Sequence, residues 1–172
     1  MEHEGKYQEA ETYARLTLDG YTRTLGPDDE LVLEANNNLG LLLKDEGRAA
    51  EAEPFLRDTL GRAGARLGTA HPMTLMAAAA LGEAEAGEGH GAEGEKRAAE
   101  TLAAARRTLP QGSAATGKVL RSYGRCLALL GRRADAEAAL TEGRSSFTTA
   151  EPVQIPATDA DLSALRRAPE KS

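Results

Sequence analysis

Apolar residues recur along this chain at helical spacing. Val32, Ala35, Leu39, Leu42 and Leu43 fall on one side of a helix, and polar residues fill the other. Sliding the chain along itself by 42 residues brings like onto like. Leu18, Leu60 and Leu102 align, as do Leu25, Leu67 and Leu109. So do Leu39-Gly40, Leu81-Gly82 and Tyr123-Gly124. The string Gly-x-x-x-(Glu/Asp)-(Ala/Gly)-Glu returns at the same interval, as Gly5–Glu11, Gly47–Glu53, Gly89–Glu95 and Gly131–Glu137. Asp29, His71 and Ser113 share one position, followed by Glu30, Pro72 and Ala114. Asp and Ser are good N-caps, and Pro suits the residue after a cap. A first helix of each unit is therefore predicted over Glu30–Lys44, Pro72–Ala86 and Ala114–Leu129. The signature glycine stops each one with positive φ. A second helix follows over Ala49–Arg66, Ala92–Thr108 and Arg133–Phe147, with an earlier copy over Lys6–Thr24. Ala10, Ala52, Gly94 and Ala136 mark where the second helix crosses the first, because a larger side chain would hold the backbones apart.

Equal spacing without insertions predicts hairpins stacked in one register. The expected fold is all-α, an α-solenoid superhelix of antiparallel helix pairs with no β-sheet. The array takes residues 1–147: a half repeat at 5–25, then full repeats at about 29–66, 71–108 and 113–147. The half repeat is a second helix without its first, which leaves Tyr7, Ala10 and Ala14 uncovered and predicts self-association there. The glycines of Gly89–Gly94 predict that the second unit is the loosest, and Pro54 predicts an irregularity one turn into its helix. In residues 148–172, Pro152, Pro156 and a Thr/Ser cluster read as linker. Thr158-Asp159-Ala160-Asp161 then caps a short helix carrying Leu162 and Leu165, ahead of a disordered tail.

Composition narrows the function. Aromatics are few, with no Trp, two Phe and four Tyr, so the core is expected to be thin and rich in Ala and Leu. The net charge of −6, with basic residues scattered, argues against nucleic acid and against anionic membranes as partners. The longest nearly apolar run, Met73 to Leu81, is far short of a bilayer span. The single Cys126 and an N-terminus without signal-peptide character make a cytoplasmic location the expectation.

No constellation for catalysis emerges, so the chain reads as a non-enzyme. Gly89-His90-Gly91-Ala92-Glu93-Gly94 fits G-x-G-x-x-G, but a helix precedes it where the dinucleotide fingerprint needs a strand. His3, His71 and His90 lie in different units without partners at ligand spacing, so neither metal nor cofactor is expected. Cys126 reads as a small core residue.

Leu-Gly on the first helix and Gly-x-x-x-Glu-Ala on the second resemble the tetratricopeptide repeat. The 42-residue unit with Leu25-Gly26-Pro27-Asp28-Asp29 and Asn37-Asn38-Leu39-Gly40 resembles the kinesin light chain subclass. That resemblance implies a protein–protein interaction module whose first helices line a concave groove for a partner peptide. Carried onto this chain, the groove positions are Glu34, Asn37, Asn38, Leu41 and Lys44 in the first full unit. Met76, Ala79, Ala80 and Glu83 follow in the second, and Lys118, Arg121, Ser122 and Arg125 in the third. Asn38 aligns with the asparagine that hydrogen-bonds ligands in many family members, although Asn36–Asn38 could equally bridge helices within the array. Lys118, Arg121 and Arg125 fall on one helix face, which suits an acidic peptide; a solvated charged face is the plainer reading. The resemblance also implies an alternative, since similar repeats are appended to bacterial Ser/Thr kinases and signalling ATPases. In that reading the chain is a C-terminal regulatory or assembly segment that self-associates through its first helix.

Overall fold

The computed structural model describes residues 2–147 and 154–167, with side chains from residue 8 onward. The expected linker at 148–153, the tail at 168–172 and the Tyr7 side chain lie outside the described residues. Within them the chain forms eight helices and no strand. These are α1 (Glu2–Leu25), α2 (Glu30–Asp45), α3 (Ala49–Leu67), α4 (Pro72–Gly87), α5 (Gly91–Thr108), α6 (Ala114–Leu129), α7 (Arg133–Ser145) and α8 (Gln154–Arg167). Each helix packs on the next, and α4 also packs on α6.

The boundaries follow from local chemistry. The Asp29 carboxylate accepts from the Leu31 N–H, the His71 ring nitrogen from Met73, and the Ser113 hydroxyl from Thr116. Each satisfies a donor that the first helical turn leaves unpaired. Gly47, Gly89 and Gly131 turn the chain between the helices of each pair with φ of 77°, 92° and 78°. In that region a side chain would be strained. Pro54 is accommodated inside a continuous α3, on an exposed side.

The helix crossings explain the Leu-Gly pairs. A methyl group added at Gly94 would sit 2.3 Å from the Gly82 carbonyl oxygen, and one added at Gly82 would sit 2.7 Å from the Gly94 carbonyl. The second pair is thus the one crossing of the three where the close approach is backbone to backbone on both helices. At Gly40 and Gly124 the nearest atoms belong to the Leu56 and Leu140 side chains. Glycine at this level lets the backbones of α4 and α5 touch. The core between the helices is the expected Ala and Leu, with Leu39, Leu56, Ala52, Leu81, Ala98, Leu127 and Leu140 almost wholly buried.

Beyond the third pair, α8 begins at Gln154, four residues ahead of the Thr158 cap that the sequence suggested. Pro156 sits in its first turn, where a missing N–H costs no helical hydrogen bond. This helix keeps the 42-residue register. Pro156 is two periods on from Pro72, and Thr158 follows Thr74 and Thr116, all three buried. Where the preceding first helices have Gly40, Gly82 and Gly124, α8 has Arg166, which pairs with Glu137 at 2.7 Å.

At the other end, α1 packs on α2 through Ala14 and Leu18. Its other face is open. Thr59, Thr101 and Gly143 are buried beneath the first helix of their own pair, as are Ala63, Ala105 and Phe147. The same register positions in α1, Thr17 and Tyr21, are exposed, and so are Tyr13 at 70% and Leu16 at 61%.

Candidate functional site

The first helices of successive pairs, α2, α4 and α6, line a concave cavity of about 210 Å³. Helical phase decides which side chains reach it. Asn36, Asn37 and Asn38 are consecutive, so each faces a different way. Asn36 points into the array and donates to the Phe55 carbonyl and the Thr59 hydroxyl, both at 3.0 Å. It bridges α2 to α3, as the structural alternative for this triplet foresaw. Asn37 and Asn38 line the cavity instead, with Glu34, Leu41 and Lys44 from the same helix. From α4 come Met73, Met76 and Glu83, and from α6 come Lys118, Arg121, Ser122 and Arg125. Eleven of the thirteen groove positions carried over from the family resemblance therefore meet around one cavity. Ala79 and Ala80 are buried behind it.

Sequence reasoning missed three lining residues. Asp45 ends α2 and Met73 lies in the first turn of α4, while Gln154 enters from α8, which had been read as linker at that point. The 42-residue register continuing into α8 was the signal that could have located Gln154.

The cavity is polar and its charges are largely matched. Lys44 Nζ lies 2.6 Å from Glu83 Oε2, with both side chains almost fully buried. Arg125 Nε reaches Glu83 Oε1 at 2.8 Å, and its Nη1 reaches Asp45 Oδ1 at 2.7 Å. This network ties three first helices, one from each full pair, across residues far apart in the chain. Burial alone would push the Asp45 carboxyl up, but Lys44, Arg125 and Arg121 outweigh it and hold Asp45 below its ordinary value. Burial likewise disfavours the charged Arg125, and Glu83, Asp45 and Asp161 more than compensate. Arg121 Nε pairs with Asp161 Oδ2 of α8 at 2.6 Å. The strip read from sequence as basic is thus interleaved with acids from α2, α4 and α8.

One polar atom of the cavity lining is left over. The Asn37 side chain is 5% exposed, and its Oδ1 is buried without a hydrogen-bond partner. A buried acceptor left unsatisfied costs about 1–3 kcal/mol. A donor supplied from the cavity would relieve it.

The remaining candidates for chemistry fall away from the cavity. Cys126 is fully buried, and its thiol is pushed up to about 12, first by burial and then by Glu83, Glu95 and Glu85. A thiol so protonated is a poor nucleophile. Gly89, at the head of the G-x-G-x-x-G string, is the turn between α4 and α5. Among the described residues there is no cluster of His, Cys, Asp and Glu suited to a metal ion, and no helix long and apolar enough to cross a membrane.

Comparison with known proteins agrees with this architecture. Residues 1–65 match the family model for the tetratricopeptide repeat. No curated protein matches the chain. Among solved structures, the crystal structure of BtubC (BKLC) from P. vanneervenii is similar over 98% of this chain, with a TM-score of 0.62 and 16% identity. The chain spans 62% of the length of that protein. At that identity the likeness shows the fold.

Proposed function

We propose that this chain, whose residues 1–65 match the tetratricopeptide repeat, binds a peptide segment of a partner protein in the cavity between α2, α4 and α6. Repeats of this family mediate protein–protein interaction, and the finer assignment to this groove rests on one observation. The groove floor holds Asn37 Oδ1, buried without a partner beside the apolar Leu41, Met73 and Met76. An extended peptide supplies backbone N–H donors to such an acceptor and side chains to such an apolar patch. Asn38 is exposed at the cavity edge and offers a second amide that both donates and accepts. The kinesin light chain-like form of the repeat fits the same reading.

The test is a displayed peptide library selected on the intact protein, followed by titration of the enriched peptides into wild type and Asn38→Arg. Asn38 is exposed, so the substitution fills the groove without disturbing the core. Affinity is expected to fall at least about tenfold, a difference of ~1.4 kcal/mol. Enriched peptides that bind both proteins equally would place the binding face elsewhere and end this proposal.

A second reading has its own support. The open face of α1, with Tyr13, Leu16 and Tyr21 exposed, makes an assembly role through self-association reasonable. Light scattering over a range of concentrations tests it. A mass that stays monomeric at every concentration refutes it, and Tyr13→Glu should abolish any association seen.

A further inference from the structure

Asp161 of α8 lies beside the cavity and meets it through Arg121. Its Oδ2 lies 2.6 Å from Arg121 Nε and its Oδ1 3.9 Å from Arg125 Nη1. Yet α8 has other anchors. Thr158 is fully buried and Leu162 nearly so, the Arg144–Asp159 pair closes at 2.5 Å, and Arg133 donates to the Arg166 carbonyl at 2.7 Å. The Asp161 carboxylate is thus one tie among several for α8, while it is the acid that α8 presents to Arg121.

On the far side of this ion pair lies a second, more apolar notch of about 300 Å³. Leu129, Leu140 and Leu165 line it, and Leu129 is half exposed. Glu83 and Arg125 border both cavities, and Asp161 of the notch pairs with Arg121 of the groove.

We propose that Asp161 is a built-in competitor for the groove's carboxylate site. The partner is a peptide whose own side-chain carboxylate takes Arg121 from Asp161 while a neighbouring apolar side chain enters the Leu129 notch. This rests on the groove being the binding face. The surrounding charges select the ligand class. Arg125 is already engaged by Glu83 and Asp45, which leaves Arg121 to accept a single negative charge. A dianionic phosphate would meet the repulsion of both neighbouring carboxylates.

The experiment uses Asp161→Asn in the full chain. An amide keeps the shape and a weaker hydrogen bond, and hydrogen exchange of α8 reports that the helix remains docked. A short peptide capped at both ends, with one Asp followed by leucines, is titrated by fluorescence polarisation against both proteins. Controls replace the peptide Asp with Asn or phosphoserine, or leave its C-terminus free. Asp161→Asn is expected to bind the Asp peptide about tenfold more tightly than wild type, with the gain removed by adding Arg121→Gln. Equal affinity for wild type and Asp161→Asn, or no binding to either, overturns the competitor. An equal gain for the Asn or phosphoserine peptide overturns the carboxylate assignment, and a gain confined to the free C-terminus overturns the side-chain source. If Asp161→Asn changes nothing while Asn38→Arg still abolishes library-peptide binding, the groove survives and only this inference falls.

Discussion

The crossing of α4 and α5 gives the sharpest test of how the repeats hold together. Consider Gly94→Ala. In an isolated helix the change would help, because alanine is favoured over glycine by about 1 kcal/mol. Here the new methyl would lie 2.3 Å from the Gly82 carbonyl oxygen and 2.8 Å from the Ala86 nitrogen. Ordinary contact begins near 3.4 Å, so the helices would have to part by about an ångström. Both neighbours are backbone atoms that no rotamer change can move. Overpacking of a fixed core costs about 1–3 kcal/mol, and two backbone contacts put this case at the upper end. Net of propensity, Gly94→Ala should lose about 2 kcal/mol, or roughly 4–8 °C in Tm for a chain of this size. Gly61→Ala in α3 is the control, since a methyl there meets nothing within 4 Å. It should be neutral or gain up to about 1 kcal/mol. Urea and thermal unfolding followed by circular dichroism compare the three proteins. A Gly94→Ala protein as stable as wild type would show that the crossing is not close-packed, and the account of the Leu-Gly pairs would fall with it.

Four further outcomes are expected. Glu83→Gln should cost about 3 kcal/mol in urea unfolding, because it leaves Lys44 and Arg125 short of a buried counter-charge; a loss below about 0.5 kcal/mol would show the network to be inert. Asp45 is held below its ordinary value, so its stabilisation is complete above the usual carboxylate range and lost as pH falls beneath it. Asp45→Asn should therefore flatten the acid limb of a stability–pH profile, and an unchanged limb would contradict the shift. Cys126 should resist a disulfide reagent such as Ellman's in the native protein at neutral pH and react at once in urea; rapid native labelling would contradict its burial and raised pKa. Arg48–Glu11 and Arg132–Glu95 are equivalent rungs on the stack, and His90 occupies the matching position opposite Glu53. His90→Arg should add up to about 0.5 kcal/mol at low salt and nothing at high salt, and the absence of any salt-dependent gain would show that the rung does not form.

The helices were legible because their ends are written in single residues. Caps at Asp29, His71 and Ser113, with turn glycines at Gly47, Gly89 and Gly131, set boundaries within one or two positions. The start of α8 was not legible in the same way. Pro152 and Pro156 looked like linker chemistry, although Pro156 holds the register place of Pro72. The groove positions could be carried over from the family resemblance, but their electrostatics could not. Glu83 has no sequence neighbour that reveals its pairing, and only the superhelical stacking of α2, α4 and α6 brings Lys44 and Arg125 onto it. Nor could the triplet Asn36–Asn38 be divided between internal bridge and groove without the phase of α2.

Arg166 sets a rule for anyone wishing to lengthen this protein. A hairpin copied from an earlier unit and grafted after α8 would need a second helix to cross at Arg166, where every preceding level offers a bare Cα hydrogen. The graft would ride high over a guanidinium bound to Glu137 and would leave its own apolar side wet. Replacing Arg166 with glycine, before any other edit, is the change that would make the stack extensible.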